Sequence, residues 1–537
     1  MKWKGSLFNA SLATIFLAVP TSIRLAVAEH LPKGVEDTEQ MLGTTGKKSL
    51  PLGQPNLPEL RTTTSVASGV THTVIVRGER SNRNFYIVDV AFQASLEAAQ
   101  AVAKSLSAKG YQPRIKTIFR QVRNNDLKRG SLGYLVRVGY FNSEIKAINL
   151  QEQLLASGYS ESRVVYSGED GGRTTGPWVV NVLEVNPALF QGTLAPKLAT
   201  SSVPGTELLT SIAARTRALA AVNGGYFVIG STDGTPGDLA GISVINGVLM
   251  SEAVNGRTSL ILPYRSGKKA RIAALTSQQI VTTTDGITRK IDGLNRKPGL
   301  IRGCGGVGGD TPTQEPKHDF TCTDASELIQ FTPAFGLRSE PGEGTEAVLN
   351  RSNQVIKLRN QCGGQIPSNG SVLCGTGNAA KWLQTYAQLN TKIDIKARIL
   401  ANGQELPTNQ ALGVVNGGPR LVQNGAVEIA VAAEGFNWQE NPEFYYRFGV
   451  RRNPRTLAGI TANGNLLFVT VDGRQPGWSV GASFKESAQI MRSLGAVDAV
   501  NLDGGGSTTM TIGKRLVNRP SDTTGERPIG DAIVIQP

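Results

Sequence analysis

The sequence predicts an α+β protein, in which a strand-rich mixed α/β domain follows a small domain of alternating strands and helices. Three observations predict this class. Glycine and proline supply 62 and 26 of the 537 residues, which is typical of a turn-rich chain. A strand–helix pattern occurs twice between residues 71 and 170. From about residue 175 onward, short apolar strands alternate with glycine-rich turns.

The first 28 residues have the pattern of a secretory signal peptide. Two lysines precede an apolar run over residues 7–19, and Ala26-Val27-Ala28 matches a small-x-small cleavage site. The run is too short to span a bilayer comfortably, and no later stretch is long and apolar enough. We therefore expect an exported, periplasmic or cell-wall-associated protein with no stable membrane span. Arg24 lies close to the cleavage site, which leaves an uncleaved anchor as the alternative.

Residues 29–70 are predicted to be a disordered linker. They contain four prolines together with glycine, threonine and serine, and show little periodic apolar pattern. The predicted folded domains are therefore 71–170 and 175–537.

The first of these domains contains an internal repeat with a constant offset of 48 residues. A strand over 86–92, a helix over 96–106 and a Gly-Tyr pair come first. A strand over 134–141, a helix over 145–155 and a second Gly-Tyr pair follow. Two such units predict the order β-α-β-β-α-β and hence a small split βαβ, ferredoxin-like domain with one sheet and two helices.

This double pattern resembles the SPOR domain. The resemblance implies binding of peptidoglycan glycan strands across the face of the sheet. A ferredoxin-like domain without a ligand is the alternative.

The larger domain is organised around residues 501–510, Asn-Leu-Asp-Gly-Gly-Gly-Ser-Thr-Thr-Met, which follow a predicted buried strand over 496–500. Three consecutive glycines let the backbone reach positive φ, and their N–H groups can line a nest for an anion. Asp503 stands at the end of the strand, directly before Gly504 and Gly505. A glycine-rich hairpin with an Asx-turn is the alternative interpretation.

A second aspartate follows another predicted strand. The strand over 466–471 ends in Asp472-Gly473-Arg474, and an amphipathic helix over 484–494 leads back to the strand before Asp503. If the two strands are parallel neighbours, both carboxylates reach the same edge of the sheet.

Five motifs share an Asn- or Asp-rich, glycine-containing character and occur in a fixed order along the chain. They are NGGYF at 223–227, NGGPRL at 416–421, NPRTLAG at 453–459, VDGR at 471–474 and NLDGGGSTTM at 501–510. Together they resemble the phosphodiester glycosidase family over residues 175–537. The best-known member of that family removes N-acetylglucosamine from N-acetylglucosamine-1-phosphate diesters. By resemblance the site residues are Asn223, Asn416, Arg455, Asp472, Arg474, Asp503, Ser507 and Thr508.

The residue types are compatible with hydrolysis of a sugar-1-phosphate diester. The leaving phosphate monoester needs a strong general acid less than an ordinary glycoside does. Arginines such as Arg455 and Arg474 give permanently charged, bidentate phosphate contacts. Asp503 or Asp472 is then the nucleophile or the base for water. The alternatives are a salt bridge for Arg455 and a turn cap for Asp472.

Other chemistries are disfavoured by the residue inventory. None of the three histidines lies in these motifs, so a Ser-His-Asp triad or a histidine-rich metal site is not expected. We expect no cofactor and no catalytic metal. Calcium bound by the Asp-rich loop 308–323 stays open, although its spacing matches no EF-hand.

The formal charge of +14 favours anionic partners. In an exported protein these are phosphate-linked cell-wall or exopolysaccharide glycans rather than nucleic acid. Because the basic residues are scattered, a general contribution to solubility is the alternative. A non-catalytic, wall-anchored carbohydrate-binding protein is the alternative to an enzyme.

The four cysteines fit export, since disulfides persist in oxidising compartments. Their spacing does not match a structural zinc site, and four cysteines allow three connectivities. We favour the nearest-neighbour pairing, Cys304–Cys322 and Cys362–Cys374, which would close two loops.

Overall fold

The computed structural model describes residues 49–120, 127–254, 256–263, 269–304, 311–312, 321–407, 412–438 and 441–537. The predicted signal peptide, the linker before residue 49 and most of the loop 308–323 lie outside these residues. In the described ranges, no helix is long and apolar enough to cross a bilayer.

The chain is already folded before the predicted start of the first domain. β1 (Glu59–Ala67) and β2 (Val70–Arg77) form an antiparallel hairpin, and β2 pairs along its length with residues 178–185. The prediction of a disordered linker is therefore wrong for residues 59–70. The sequence did not predict β1, because its apolar residues do not alternate with polar ones. It is a half-exposed edge strand with three consecutive threonines, which have strand propensity.

The segment before β1 is held by a buried arginine at the end of β2. Arg77 donates from Nε to the carbonyl of Leu52 and from Nη2 to that of Gln54, both at 2.8 Å, and pairs with Glu59 at 3.1 Å. Residues from about 50 onward thus belong to the large domain. The small domain is inserted between two adjacent strands of its sheet.

The small domain follows the predicted order of elements. These are β3 (Tyr86–Gln93), α1 (Leu96–Ala108), β4 (Pro113–Phe119), β5 (Ser131–Phe141), α2 (Glu144–Ala156) and β6 (Arg163–Tyr166). The sheet order is β4-β5-β3-β6, with every pairing antiparallel.

The repeated Gly-Tyr pair ends both helices in the same way. Gly110 and Gly158 have positive φ angles of 86° and 92°. The N–H of the tyrosine after each glycine donates to the carbonyl five residues earlier, Leu106 for Tyr111 and Leu154 for Tyr159. This is the Schellman motif, in which a left-handed residue is most easily supplied by glycine.

The two faces of the small sheet have different neighbours. Val88 and Val136 pack on the side of α1 and α2. On the other face Leu135 joins the core of the large domain, and Phe92 stacks on Tyr446 with ring centroids 5.3 Å apart. That face is therefore covered by the large domain, contrary to the expectation that a glycan strand lies across it.

An ion-pair network holds this docked face. Arg137 on β5 pairs with Asp89 at 2.6 Å and donates two hydrogen bonds to the carboxylate of Asp170, at 2.6 and 2.8 Å. Lys116 also pairs with Asp170, at 3.1 Å. Because the carboxylates and Arg137 are buried, the charges must compensate one another for the domains to pack.

The large domain is built mainly from strands. From residue 178 to residue 407 they are β7 (Trp178–Val185), β8 (Thr193–Leu198), β9 (Ala220–Asn223), β10 (Ser243–Ile245), β11 (Val248–Ser251), β12 (Thr258–Pro263), β13 (Arg271–Thr283), β14 (Thr288–Ile291), β15 (Gly293–Leu294), β16 (Leu300–Arg302), β17 (Thr311–Pro312), β18 (Thr321–Thr323), β19 (Leu328–Phe331), β20 (Gly342–Leu349), β21 (Val355–Cys362), β22 (Ser371–Gly375), β23 (Ile393–Ala401) and β24 (Gln404–Glu405). Later strands are β25 (Leu412–Val415), β26 (Arg420–Gln423), β27 (Ala426–Val427), β28 (Arg455–Thr461), β29 (Leu466–Val471), β30 (Ala496–Asn501), β31 (Met510–Ile512), β32 (Arg515–Leu516) and β33 (Asp531–Gln536). The helices are α3 (Leu209–Thr216), α4 (Gly377–Tyr386), α5 (Pro442–Tyr445) and α6 (Phe484–Ser493).

The described strands of this domain form five sheets. The first has the order β1-β2-β7-β29-β28-β30-β26-β27. The second is β11-β10-β25-β12-β13-β23-β24, with β14 beside β13, and the third is β32-β31-β9-β33-β8. Two smaller sheets are β15-β19-β22-β20-β21 and β16-β18-β17. The α+β, strand-rich class is therefore confirmed.

The first sheet separates two cores. Leu183 and Phe468 on one face pack with Val222 of the third sheet and Leu260 of the second, all fully buried. The other face is covered by α6, whose apolar side packs with Leu457 and Val469. A capping box formed by Ser483 and Glu486 starts this helix.

Both disulfides follow the nearest-neighbour prediction. Cys304 is bonded to Cys322, and Cys362 to Cys374. The predicted connectivity is confirmed.

We predict that Asp170→Asn lowers the free energy of unfolding by about 3 kcal/mol or more, because it leaves the buried guanidinium of Arg137 without its main counter-charge. Urea denaturation followed by tryptophan fluorescence measures this loss. Asp394→Asn is the control, since Asp394 belongs to an exposed pair with Lys396 that contributes at most about 1 kcal/mol. Equal losses in the two variants would contradict the assignment.

The same pair predicts a pH dependence of stability. Burial opposes ionisation, but the hydrogen bonds from Arg137 hold the pKa of Asp170 well below its usual range. The stabilisation is therefore present above the unfolded pKa of about 3.9 and is lost as the pH falls below it. Wild type and Asp170→Asn should differ less in strong acid than near neutral pH.

Candidate active site

Three strands of the first sheet bring the predicted acidic and basic residues to one edge. β28 lies between β29 and β30 and is antiparallel to both. Arg455, the first residue of β28, lies opposite Val471, the last residue of β29. Asp472 and Asp503 therefore follow strand ends at the same edge as Arg455. The two aspartate-bearing strands are parallel, but they are not the adjacent pair that the sequence suggested.

A cleft of about 1410 Å³ opens at this edge and is lined by both domains. Its large-domain end is lined by Asp503, Gly504, Gly505, Arg455 and Arg474 from the predicted set. Arg451 and Arg527 also line this end, and sequence reasoning did not find them. The cleft thus presents one predicted carboxylate among several guanidinium groups.

The backbone of Asp503 is fixed from the neighbouring sheet. Its carbonyl accepts a hydrogen bond from Nδ2 of Asn223 at 2.8 Å, and its N–H donates to the carbonyl of Gly224 at 3.2 Å. Its own Oδ1 accepts from the N–H of Gly504 at 2.9 Å. The side chain is half-buried, so one carboxylate is held at the cleft surface by backbone contacts.

The three glycines are required by close packing. A Cβ atom on Gly504 would lie 2.8 Å from the carbonyl oxygen of Pro454, and one on Gly506 would lie 2.3 Å from Nη2 of Arg527. Gly505 has a positive φ of 61° and lies beside the guanidinium of Arg474. The glycines therefore let two arginines approach the loop.

Four N–H groups of this loop are already engaged, which leaves few for the predicted anion nest. Those of Gly504, Gly505, Ser507 and Thr508 each donate to a protein acceptor, in a short 3₁₀ turn over Gly505–Ser507. Anion binding at this edge must therefore come mainly from the arginine side chains.

Arg455 is a buried cation without a carboxylate partner among the described residues. Its side chain is 1% exposed and lies 4.4 Å from the ring of Phe484 and 5.4 Å from that of Phe448. It donates to the carbonyls of Ala482, at 2.9 Å, and Phe448. Burial lowers the pKa of Arg455 to about 9, so the group is still charged at neutral pH and would gain from an anion.

Arg474 reaches the same region from the turn after β29. It has a left-handed φ of 56° and donates from Nη2 to Oδ1 of Asn453 at 3.0 Å. In the described part of the chain, no ion pair joins it to a carboxylate. Among the described residues that line this end, Arg455 and Arg474 are therefore the two cations that form no ion pair.

Glu169 is a second cleft carboxylate that the sequence did not reveal. It lies just after the small domain and pairs with Arg451 at 3.2 Å. Burial raises the pKa of Glu169 to about 7, although the charge of Arg451 opposes this. No motif surrounds Glu169, since it is brought to Arg451 by packing across 282 positions of sequence.

The chain matches two family models. Residues 343–536 match the phosphodiester glycosidase model, and residues 82–166 match the SPOR domain model. The N-acetylglucosamine-1-phosphodiester alpha-N-acetylglucosaminidase of Mus musculus is 30% identical over 30% of this chain and 31% of its own length. The chain thus spans about a third of the length of this curated relative.

Two solved structures resemble the whole described fold. A Burkholderia pseudomallei protein assigned as exported is 32% identical, with a TM-score of 0.83 over 91% of this chain and 98% of its own. A Synechocystis protein shares the fold at 18% identity and a TM-score of 0.54, over 90% and 81% of the two chains. Residues 343–536 are thus similar to the phosphodiester glycosidase family. The expected family and the SPOR domain are therefore both confirmed.

Four of the polar residues predicted to bind substrate do not line the cleft. Asn223 and Asn416 are buried, and Asn416 accepts from the N–H of Tyr226 at 2.7 Å. Ser507 and Thr508 are each 1% exposed. Their motifs are therefore better explained by the positioning of the loops around Asp503 than by contact with a ligand.

Asp472 is likewise buried and does not line the cleft, so its predicted catalytic role is not supported. Its carboxylate accepts from Nε1 of Trp478 at 2.9 Å, from Nδ2 of Asn518 at 3.3 Å and from the N–H of Arg519 at 3.1 Å. Burial raises the pKa of Asp472 to about 6 despite these bonds. The alternative interpretation, a structural carboxylate that holds turns, fits this geometry.

We predict that Asp472→Asn destabilises the protein by about 1–3 kcal/mol, because an amide nitrogen would face N–H donors. The folded pKa lies above the unfolded value of about 3.9, so ionisation opposes folding and wild-type stability falls as the pH rises through about 6. The variant lacks this titration, so its deficit should be larger near pH 5 than near pH 8. Chemical denaturation at both pH values measures it.

Proposed function

We propose that this protein hydrolyses sugar-1-phosphate diesters of the N-acetylglucosamine-1-phosphodiester type. The observation that carries the proposal is a single cleft lined by the half-buried Asp503 and by Arg455 and Arg474, two arginines that form no ion pair with a carboxylate of the described residues. Two cations suit a phosphodiester, and one carboxylate suits an anomeric carbon. The name of the mouse relative supports the sugar.

The arginines favour bond cleavage as well as binding. When the bond between the anomeric carbon and the phosphate oxygen breaks, the phosphate group changes from a monoanion toward a dianion. Arg455 and Arg474 then interact more strongly with the leaving group than with the substrate, which is the condition for lowering the barrier. Arg455 is fixed beforehand by its two carbonyl acceptors, so little reorganisation is needed.

Asp503 acts on the other side of the anomeric carbon. As a nucleophile it forms a glycosyl ester while the phosphate monoester leaves, and water then hydrolyses the ester. As a base it takes a proton from water, whose oxygen bonds to the sugar in the same step. Both routes add one water and release a free sugar and a phosphate monoester.

We place this activity outside the cytoplasm, on cell-wall or exopolysaccharide glycans in the periplasm or at the wall. The signal-like start of the sequence and the two disulfides support this location. The Burkholderia relative assigned as exported supports it as well. The SPOR domain, which we assign to the ferredoxin-like class, supports peptidoglycan glycan strands as a partner.

We predict that Asp503→Asn lowers the turnover of an N-acetylglucosamine-1-phosphate diester by at least about 100-fold, the lower end of what a positioned acid–base group contributes. The released sugar is assayed, and thermal melting checks that the fold is unchanged. Asp498→Asn is the matched control, because Asp498 lies in β30, the strand that leads to Asp503, but does not line the cleft. Near-normal turnover by Asp503→Asn would remove Asp503 from the mechanism.

We also predict that the full-length protein co-sediments with purified peptidoglycan sacculi. A wild-type chain that binds sacculi but hydrolyses no sugar-1-phosphate diester would favour the non-catalytic carbohydrate-binding alternative. Recovery in the supernatant alone, with and without sacculi, would contradict the peptidoglycan partner.

A further inference from the structure

The cleft is larger than one sugar phosphate requires. Its volume of about 1410 Å³ exceeds the roughly 300–1,000 Å³ of pockets that bind small ligands. One end holds Asp503 and the unneutralised arginines. The other end is lined by Tyr86, Glu161 and Arg163 of the SPOR domain. Most of the cleft therefore lies beyond the reacting group.

The two ends differ in charge. At the SPOR end, Glu144, Glu161 and Glu443 stand with Arg163 and Arg447, and Arg447 is already paired with Glu443. This balance of charges disfavours a second phosphate. Carboxylates and guanidinium groups of both signs instead suit the hydroxyl groups of uncharged sugars, which both donate and accept.

An aromatic ring also lines the SPOR end of the cleft. Tyr86 is half-buried, lines the cleft and lies 5.2 Å from the ring of Tyr166. Arg163, on the paired strand β6, is exposed, lines the same cleft and forms no ion pair within the described ranges. An aromatic face next to polar groups is an arrangement that packs against the apolar face of a pyranose.

Hydrogen bonds and an ion pair lead from one end of the cleft toward the other. Arg474 donates to Asn453, and Asn453 donates from Nδ2 to the carbonyl of Arg447 at 2.9 Å. Arg447 is paired with Glu443, and the charges of both residues influence the pKa of Arg163. The cleft is lined by all the groups named here, Arg474, Asn453, Arg447, Glu443 and Arg163.

The small sheet offers a glycan few other surfaces. One face is packed against α1 and α2, and the other against the large domain. β6 is an edge strand, and its residues Arg163, Val164 and Tyr166 line the cleft. A glycan that reaches the SPOR domain at this edge already lies in the cleft of the glycosidase domain.

We propose that both domains bind one molecule, a sugar-1-phosphate diester whose aglycone is a chain of several uncharged sugars lying along β6. This rests on the proposed function and names its substrate class. The phosphodiester lies at Arg455 and Arg474, and the glycan chain extends past Arg447 to Arg163 and Tyr86. The SPOR domain then acts as a set of substrate subsites.

The test compares two probes with the same reacting group. The short probe is the methyl diester of N-acetylglucosamine-1-phosphate, and the long probe carries a tetrasaccharide of N-acetylglucosamine in place of the methyl group. We expect the wild type to have a higher kcat/KM for the long probe. Arg163→Ala should lower the long-to-short ratio about tenfold, mainly through KM, as for one lost hydrogen bond to a charged group.

Arg114→Ala is the matched control, because Arg114 is an exposed residue of β4 at the opposite edge of the same sheet. It should leave the long-to-short ratio unchanged. A wild-type ratio of one or less, or an unchanged ratio in Arg163→Ala, overturns the inference. Hydrolysis of neither probe contradicts the proposed function instead. In that case the Kd for the long probe, measured by calorimetry for wild type and for Arg163→Ala, tests the inference. Equal Kd values for the two proteins overturn it.

Discussion

The site depends on a single buried amide. Oδ1 of Asn223 accepts hydrogen bonds from the hydroxyl of Thr456 at 2.7 Å and from the N–H of Thr509 at 3.1 Å, while Nδ2 donates to the carbonyl of Asp503. One side chain at the end of β9 thereby joins the third sheet to β28 and to both sides of the glycine loop. Because these bonds are buried, loss of any one would leave an unsatisfied polar group. This amide fixes where the carboxylate of Asp503 stands relative to Arg455, the residue before Thr456.

The edge of the first sheet that carries Asp503 also carries arginines that form no ion pair with a carboxylate of the described residues. A buried guanidinium is normally compensated by a carboxylate, as Arg137 is by Asp170. Among the described residues, Arg455 contacts only carbonyl dipoles and aromatic faces, and its burial lowers the pKa of the guanidinium because it disfavours the charged form. An anion bound there would supply the missing counter-charge to a guanidinium that is already buried, where an electrostatic contact is stronger than in solution.

Much of this could be predicted from the sequence because the patterns were local. β29 has the predicted bounds, since a continuous apolar run identifies a buried strand. Asp472 and Asp503 could not be told apart, because both precede glycine at the end of a strand, and only tertiary burial separates them. Glu169 and Arg451 could not be found either, since neither carries a local signature. β1 was missed for a related reason: an edge strand needs little apolar alternation when its partner supplies the buried face.

The insertion of the SPOR domain also changes how its contribution should be understood. A domain on one flexible tether raises only the local concentration of its ligand. This domain is instead connected at both ends to adjacent strands, from Arg77 to Tyr86 and from Tyr166 to Trp178. Arg452 stabilises the connection after the small domain. It donates to the carbonyls of Gly168 and Gly172, both at 2.7 Å, and to Glu486 at the start of α6. Because Glu486 also caps α6, the junction and the sheet beneath the cleft share one buried network. Such a connection holds β6 at a fixed distance from Asp503, and a fixed distance lets a domain select its substrate by length.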